Sequence, residues 1–329
     1  MYELSRIIGE FGDVALSIDC PIEEGLHFPI KPDLHEQAKG RLKSAEDFNA
    51  LKKLLKLGEE INEEASKHNV SHAPVIGARL FGHDFINLCT PLHTTYEVLQ
   101  KYGDKGLNEL KINRNLIALV NMRQFSLTMA YLASYGDSRF LSRIPVSQIP
   151  HLLEPLTHEL NFEVDAENLD AILTPEYVAA YQMIKNAKRQ ITNKKVGSSI
   201  KLSLTTKQFA GMPYSVITVE DNSTGILDNE GNPVPAEGLA AILCGQSTTG
   251  SGVGLQAARH IVELRKGNLE ILTKTEKNQL PIYFSLSNNL RTYDKQLEAP
   301  TGTRFTITVP KTKTHHEAIY EDLFRIEPI

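Results

Sequence analysis

Apolar residues recur at helical spacing through two neighbouring stretches of the chain. Between residues 75 and 102 they lie three, four or five positions apart, and a second such stretch runs from about 107 to 133. This spacing places apolar side chains on one face of a helix, and its mostly three-four rhythm is close to a coiled-coil seam. Gly103 supplies a stop and Gly106 falls in the turn. The pattern therefore predicts two long helices joined as a hairpin.

The region before this hairpin carries a weaker pattern. Residues 44–68 are rich in lysine, glutamate, leucine and alanine, with apolar positions that suit one face of a helix. Residues 1–35 mix short apolar runs with glycine and proline, and the pattern assigns them no element. Residues 1–70 are thus expected to form a partly helical region of unknown role.

Beyond Pro145 the pattern changes from helical to mixed. Alternating or short apolar runs predict strands at 200–204, 214–219, 269–272 and 304–309. Helical patterns lie at 175–191 and 257–264. These elements indicate an α+β fold, a sandwich with a helix layer on one sheet. The predicted domains are the N-terminal region at 1–70, the hairpin at 71–144, the mixed domain at 145–312 and a tail at 313–329.

The composition is that of an ordinary globular protein of 329 residues, with 41% hydrophobic residues and a net charge of −5. This weak acidity gives no reason to expect binding to nucleic acid or to an anionic membrane. No continuous apolar run approaches the ~20 residues needed to cross a bilayer, and the N-terminus lacks the pattern of a secretory signal. Three cysteines without metal-ligand spacing indicate reduced thiols, so we expect a cytoplasmic protein.

Three alternate glycines, Gly250, Gly252 and Gly254, lead directly into the predicted helix at 257–264. Glycine lets backbone N–H groups approach phosphate oxygens because no Cβ stands in the way, and a helix N-terminus adds partial positive charge. No Gly-Lys-Ser/Thr follows, which excludes a Walker loop, and no parallel βαβ unit surrounds the glycines, which excludes the dinucleotide fingerprint. A glycine run alone is weak evidence for a phosphate site.

The blocks that accompany these glycines make the signal specific. A helical block at 181–189 and a block at 220–225 precede them, and a block at 302–307 follows. In this order the four blocks resemble the N, G1, G2 and G3 boxes of Bergerat-type ATPases, the superfamily of histidine kinases, DNA gyrase and heat-shock chaperones. The stretch from Leu255 to Glu263 is similar to histidine kinases in particular. Residues 150–312 thus resemble the ATP-binding domain of a two-component sensor histidine kinase.

This resemblance implies a role for each matching residue. Asn186 would supply a neutral oxygen to Mg²⁺, a hard cation that prefers oxygen ligands, and Arg189 would face the phosphates of ATP. Asp221 would accept a hydrogen bond from the adenine amino group, and Thr303 would support that contact through its hydroxyl. Gly225 closes the loop after Asp221. The lid over the phosphates would be formed by Gly250, Gly252, Gly254 and the helix start at Leu255.

Two positions depart from the family pattern. Ser223 stands where the family has the first glycine of Asp-x-Gly-x-Gly. If that position needs a positive φ, serine would strain the loop by about 1–2 kcal/mol and weaken ATP binding. Gln182 lies one turn before Asn186, where the gyrase and chaperone branches carry a glutamate that activates water. Glutamine has no basic carboxylate, so this position favours phosphotransfer over hydrolysis.

A second motif lies in the first helix of the hairpin. The sequence from Gly82 to Thr90 resembles the phosphoacceptor box His-Asp-Phe-x-Asn-Leu-x-Thr of many histidine kinases. His83 would be the nucleophile, since neutral imidazole is nucleophilic at physiological pH. Asp84 would accept a hydrogen bond or proton from the imidazole, and Asn87, one turn on, would orient water for dephosphorylation. His93 lacks this context and is expected on the surface.

The leading hypothesis is an autophosphorylating histidine kinase that passes phosphate from His83 to an aspartate of a response-regulator receiver domain. The hairpin cannot bury its apolar stripe alone, so a homodimer sharing a four-helix bundle is expected. One alternative is a catalytically degenerate phosphotransfer or adaptor protein that binds a response regulator, and Ser223 keeps it open. Another is a regulatory serine kinase or anti-sigma-type protein on the same ATP-binding fold, in which His83 is incidental.

Overall fold

The computed structural model describes residues 2–22, 28–68, 75, 85–102, 109–194, 197–244, 253–287 and 296–311. The chain divides into two compact units. A helical unit comprises residues 1–140 and 147–155, and a mixed unit comprises residues 141–146 and 156–329. The fold is therefore α+β, with the helices of the first unit preceding the sheet of the second.

The helical unit is built from long helices. Their bounds are Tyr2–Ser17 (α1), His35–Leu42 (α2), Ala45–Ser66 (α3), Ile86–Tyr102 (α4) and Glu109–Ala133 (α5), and the short Ile149–Thr157 (α6) follows. The α3 helix begins where Ser44 accepts a hydrogen bond from the Asp47 N–H at 3.3 Å, as an N-cap should. The helices predicted at 44–68 and 107–133 are confirmed, whereas α1 lies in the stretch to which the pattern assigned no element.

The helices of the predicted hairpin are α4 and α5. The helix predicted from 75 to 102 is described as α4 from Ile86 to Tyr102, because most of 75–84 lies outside the described residues. Within α5, Lys111–Ala133 is long and apolar enough to span a bilayer by length and composition, although its apolar residues form no continuous run. Its most apolar stretch is 94% buried inside the protein, as in the core helix of a globular unit.

The mixed unit contains a six-stranded sheet in the order β2-β4-β5-β8-β6-β7 and a small pair β1-β3. The strands are Arg143–Pro145 (β1), Asn161–Glu167 (β2), Ala171–Leu173 (β3), Ser199–Phe209 (β4), Met212–Asp221 (β5), Asn268–Lys274 (β6), Ile282–Ser285 (β7) and Gly302–Pro310 (β8). The β2–β4 pair is parallel and the other neighbours are antiparallel. The predicted strands are confirmed as parts of β4, β5, β6 and β8.

Three helices accompany this sheet: Thr174–Lys194 (α7), Ala236–Leu243 (α8) and Val253–Leu264 (α9). The α7 helix packs on β4 and β5, the α9 helix packs on β6 and β8, and the two helices contact each other. Pro175 occupies the first turn of α7, where its missing N–H costs no helix hydrogen bond. The helices α7 and α9, which carry two of the motif blocks, therefore pack side by side on the same sheet.

Candidate functional site

The centre of the candidate site lies where β5 ends beside the beginning of β8. The antiparallel register of these strands pairs Asp221 directly with Thr303. Both side chains are buried, with 4% and 3% of their surfaces exposed. The structure thus brings together two residues that are 82 positions apart in the sequence (303 minus 221), as their proposed joint role in adenine binding requires.

The Asp221 carboxyl group is buried, and its hydrogen-bond donors are backbone N–H groups. Burial raises its pKa from 3.8 to about 6, and hydrogen bonds from the backbone N–H groups of Ser223 and Thr303 oppose that rise. The Ser223 N–H donates to Asp221 Oδ1 at 2.9 Å. Arg304 is paired with Glu220, and no cation pairs with Asp221 in the described part of the chain. An unpaired buried carboxylate is costly and is available to accept a hydrogen bond from a ligand.

Two glycines in the loop around Asp221 have positive φ angles and lie where a Cβ would collide with backbone atoms. Gly225 has a φ of +75°, and a Cβ there would collide with the Lys274 carbonyl oxygen. Gly302 has a φ of +145°, and a Cβ there would collide with the Asp221 carbonyl oxygen. These positive angles favour glycine. Gly225 was identified from the sequence, whereas no role was assigned to Gly302.

The strain predicted at Ser223 is absent. Ser223 is not among the described non-glycine residues that have a positive φ, so the serine occupies its position without the left-handed backbone that would penalise it. Its neighbour Asn222 anchors the loop, because Asn222 Oδ1 accepts hydrogen bonds from the N–H groups of Ser198 and Ser199, each at 2.9 Å. The departure from the family pattern therefore does not distort the loop beside Asp221.

Thr273 of β6 joins the loop to β8. Its Oγ1 accepts a hydrogen bond from the Ile226 N–H at 2.8 Å. The same oxygen lies 3.3 Å from the Gly302 carbonyl oxygen and 3.3 Å from Thr303 Oγ1. Thr273 is fully buried. Sequence reasoning missed this residue because a threonine in a strand carries no motif, and only the sheet register shows that it touches the site.

The second part of the site lies on α7. Gln182, Asn186 and Arg189 follow one another at helical spacing, so they share one face of this helix. Gln182 is buried, and Asn186 and Arg189 are half-buried. The Asn186 side chain makes no hydrogen bond to a described residue, which leaves its amide oxygen available to a ligand or cation.

The start of α9 lies against this face of α7. A Cβ at Gly254 would stand 2.5 Å from Oε1 and 3.2 Å from Cδ of Gln182, so only glycine fits there without a shift. Gly250 and Gly252 lie outside the described residues. Leu255 is buried, and its side chain packs into the unit. The predicted phosphate lid is therefore described only at its helical end, one turn of α7 from Asn186.

The phosphoacceptor motif is described only in part. His83 and Asp84 lie outside the described residues, and Asn87 belongs to α4 although its side chain is not described. The structure does not test the roles predicted for them. His93, expected on the surface, is half-buried, and its ring lies 5.7 Å from the Phe48 ring.

The residues present fit a nucleotide with an oxygen-bound cation. Among the described residues no group of three or more His, Cys, Asp and Glu side chains could hold a metal by itself. A cation here would therefore depend on neutral oxygen from Asn186 and on phosphate oxygens, which is how Mg²⁺ is commonly held beside nucleotides.

The chain is similar to solved histidine kinase domains. The histidine kinase domain of the Erythrobacter litoralis blue-light activated histidine kinase has 12% identity and a TM-score of 0.33, with 81% of this chain and 100% of that chain covered. The Acinetobacter baumannii histidine kinase AdeS has 16% identity and a TM-score of 0.30, with 69% and 98% covered. Full-length ShkA in complex with AMPPNP has 18% identity and a TM-score of 0.34, with 80% and 46% covered. No protein-family model and no curated protein matches the chain.

Proposed function

We propose that this chain is a cytoplasmic, ATP-dependent histidine kinase that phosphorylates its own His83 and passes the phosphate to an aspartate of a response regulator. The observation that carries the proposal is Asp221, a buried carboxyl group at the junction of β5 and β8 that has no cation beside it among the described residues. We assign it the role of a binding group, because an ionised carboxylate can accept more hydrogen bonds than its backbone donors supply.

Asp221 acts as the adenine-selective group. An ionised carboxylate only accepts hydrogen bonds, so it selects the exocyclic amine of adenine and rejects the carbonyl that guanine presents at the same position. Thr303, directly opposite in the register, adds a hydroxyl that donates or accepts. Gly225 and Gly302 keep Cβ atoms away from this corner, which leaves room for a planar base.

The phosphate end of the nucleotide lies toward the start of α9 and the polar face of α7. The N-terminal N–H groups of α9 point toward an anion placed before that helix. Asn186 and Arg189 supply an amide oxygen and a positive charge from α7. When bound, Mg²⁺ would neutralise phosphate charge as the γ-phosphoryl group is transferred.

Gln182 occupies the place on α7 where a water-activating carboxylate would serve hydrolysis. Its amide contacts the helix start at Gly254 and has no basic oxygen to take a proton from water. The site therefore favours transfer of the γ-phosphoryl group to an acceptor. His83 is the proposed acceptor, with Asp84 holding the proton of its imidazole and Asn87 orienting water during dephosphorylation.

The alternative of a catalytically degenerate adaptor was kept open because a serine at position 223 could strain the nucleotide loop. Ser223 does not have a positive φ, so this reason for the alternative no longer applies. A serine kinase on the same ATP-binding unit differs from our proposal only in the acceptor, so the choice between them depends on His83.

The test uses ATP labelled at the γ-phosphate and compares wild type with His83→Gln, Asn186→Ala and the matched control His93→Gln. We expect acid-labile label on wild type and on His93→Gln, because His93 lies on α4 outside the phosphoacceptor motif. Label is expected on neither His83→Gln nor Asn186→Ala. Acid-stable label that survives in His83→Gln would overturn the histidine assignment and favour the serine kinase.

A binding measurement separates nucleotide recognition from transfer. Calorimetric titration with ATP should show Asp221→Asn binding at least roughly tenfold more weakly than wild type, since a hydrogen bond to a charged group contributes about 1.5–3 kcal/mol. GTP should bind wild type poorly. Equal affinity of wild type and Asp221→Asn for ATP would contradict the role of Asp221.

A further inference from the structure

The apolar stripe of α4 is covered by helices of the same chain. Phe85, immediately before α4, is buried, and its ring meets the Phe11 ring of α1 edge-on at 5.2 Å. Tyr96, in the second half of α4, is buried, and its ring stacks on the Phe48 ring of α3 at 5.4 Å. The stripe that was expected to need a second copy therefore already has partners in α1 and α3.

The other helix of the hairpin is enclosed as well. The α5 helix packs against α1, α2 and α4, and nearly every residue from Leu116 to Ala133 is buried. Gly12 of α1 marks how closely α1 approaches, since a Cβ there would lie 2.5 Å from Ala130 Cβ of α5. A helical segment buried on all sides is the core of its own unit, so the described stretch from Leu116 to Ala133 has no apolar face left for another chain.

The four long helices close into a ring. The α1 helix packs on α3, α3 packs on α4, α4 packs on α5, and α5 packs on α1. In a bundle shared by two chains, each hairpin would supply two of the four helices. Here one chain supplies all four, and α1 and α3 occupy the places that a partner hairpin would take.

Among the side chains of α4 that the structure describes, the large apolar ones exposed to solvent are Val98 and Tyr102. They lie one turn apart, with 45% and 59% of their surfaces exposed. Two such side chains fall far short of the ~800 Å² that each partner buries in a stable interface. For the described part of α4, the apolar face that led to the predicted homodimer is thus covered within the chain.

We infer that this chain forms its four-helix bundle alone, with α1 and α3 replacing a partner's hairpin, and that it phosphorylates His83 within the same chain. The single-chain bundle does not depend on kinase activity. Phosphorylation of His83 within the same chain rests on the proposed function. No exchange of phosphate between two ATP-bound copies is needed.

The first experiment measures the mass of the full chain by sedimentation equilibrium over a wide range of concentrations. We expect the 36.7 kDa of a single chain throughout, with and without ATP. A dimer mass at low concentration would overturn the inference. This measurement does not depend on kinase activity, so it holds even if the labelling experiment fails.

The second experiment mixes two inactive full-length variants in the presence of γ-labelled ATP. His83→Gln keeps the nucleotide site but lacks the acceptor, and Asn186→Ala keeps the acceptor but lacks the amide oxygen proposed to hold the cation. Transfer within one chain predicts no label in the mixture, with wild type labelled in parallel. Label on the Asn186→Ala chain would show transfer between chains and overturn the second half of the inference. An unlabelled wild type would instead mark failure of the proposed function.

A matched pair of glycines in α1 tests whether this helix seals the bundle. A Cβ at Gly12 meets Ala130 and Phe140 at close range, whereas a Cβ at Gly9 meets nothing within 4 Å. We expect Gly12→Val to push α1 off α5 and to produce concentration-dependent self-association. Gly9→Val carries the same change in helix propensity, and we expect it to remain a single chain. Association of both variants or of neither would contradict a sealing role for α1.

Discussion

Two buried carboxyl groups of the mixed unit are held in opposite ways. Glu176, at the start of α7, lies 3.1 Å from the Arg265 guanidinium and also accepts a hydrogen bond from the Leu173 N–H at 3.1 Å. Asp221, at the end of β5, has backbone donors and no cation in the described part of the chain. Both are almost fully buried. The charge of Glu176 is balanced by Arg265. No cation among the described residues balances the charge of Asp221.

The pair of Glu176 and Arg265 connects several elements of the mixed unit. Arg265, just beyond α9, also donates to the Pro310 carbonyl oxygen at 2.8 Å, so the pair with Glu176 ties α7, α9 and the end of β8 together. Burial raises the pKa of Glu176, and the positive charge of Arg265 opposes that rise. Among the described residues no such opposing charge lies beside Asp221. The pair of Glu176 and Arg265 holds the helices of the unit in place, whereas recognition of the nucleotide is the role that we propose for Asp221.

The largest expected effect follows from breaking the paired carboxylate. Glu176→Gln leaves the buried Arg265 charge without its partner, which typically costs about 3–5 kcal/mol of unfolding free energy. Urea denaturation would measure this loss. The double variant Glu176→Leu with Arg265→Met is the control, since removing both charges should cost less than removing one. A single variant as stable as wild type would mean that the pair does not hold the unit together.

Removing the unpaired carboxylate should have the opposite sign. The Asp221 pKa is raised from 3.8 to about 6 in the folded chain, so the native state holds this proton more tightly than the unfolded state does. Stability from this group is therefore complete below the unfolded pKa and is lost as pH rises through about 6. At about 1.4 kcal/mol per unit, the loss at pH 8 is on the order of 3 kcal/mol.

Asp221→Asn should accordingly be more stable than wild type above the folded pKa of Asp221, while it loses affinity for ATP. The gain should shrink as pH falls toward the unfolded pKa, and urea denaturation across this range would follow it. Asp228→Asn, in an exposed turn, is the control for a change of charge alone. A destabilised Asp221→Asn at alkaline pH would contradict the comparison, because it would show that the carboxylate is compensated after all.

Nucleotide affinity should depend on the same titration. The ionised form of Asp221 accepts the adenine hydrogen bond, so ATP affinity should fall as pH is lowered through about 6, by up to roughly tenfold per pH unit. Titration calorimetry at several pH values measures this. Inorganic triphosphate, which carries the same phosphates without the base, should not follow this pKa. Parallel curves for the two ligands would assign the effect to the phosphates.

The smallest expected effect concerns Thr273. Thr273→Val leaves the Ile226 N–H without its acceptor, which should cost about 1–3 kcal/mol, and it should weaken ATP binding by freeing the loop beside Asp221. Thr273→Ser retains the hydroxyl and should restore both. Thr218→Val is the control, because Thr218 lies on the same sheet and its hydroxyl oxygen is 3.4 Å from Thr306 Oγ1, away from the Asp221 loop. An unchanged ATP affinity in Thr273→Val would exclude a positioning role.

The sequence by itself determined the elements and the order of the motifs. Alternation predicted the strands that became β4, β5, β6 and β8, and helical spacing predicted α3, α5, α7 and α9. These features depend on local periodicity, which the sequence displays directly. The motif blocks identified Asp221, Gly225 and Thr303 as neighbours, and the register of β5 with β8 pairs Asp221 with Thr303.

Only the tertiary structure decided what covers each apolar face and which polar group is paired. The stripe on α4 looked like a surface for a second chain because a helix pattern shows that a face is apolar and does not show what packs on it. Phe11 supplies that partner from a stretch to which the pattern assigned no element, and Phe48 supplies it from the predicted helix α3. Likewise, only the sheet register shows that Thr273 lies beside the site. Only the backbone angle of Ser223 shows that the condition for the expected strain is not met. Pairing and burial are properties of contacts between distant residues, and no local spacing encodes them.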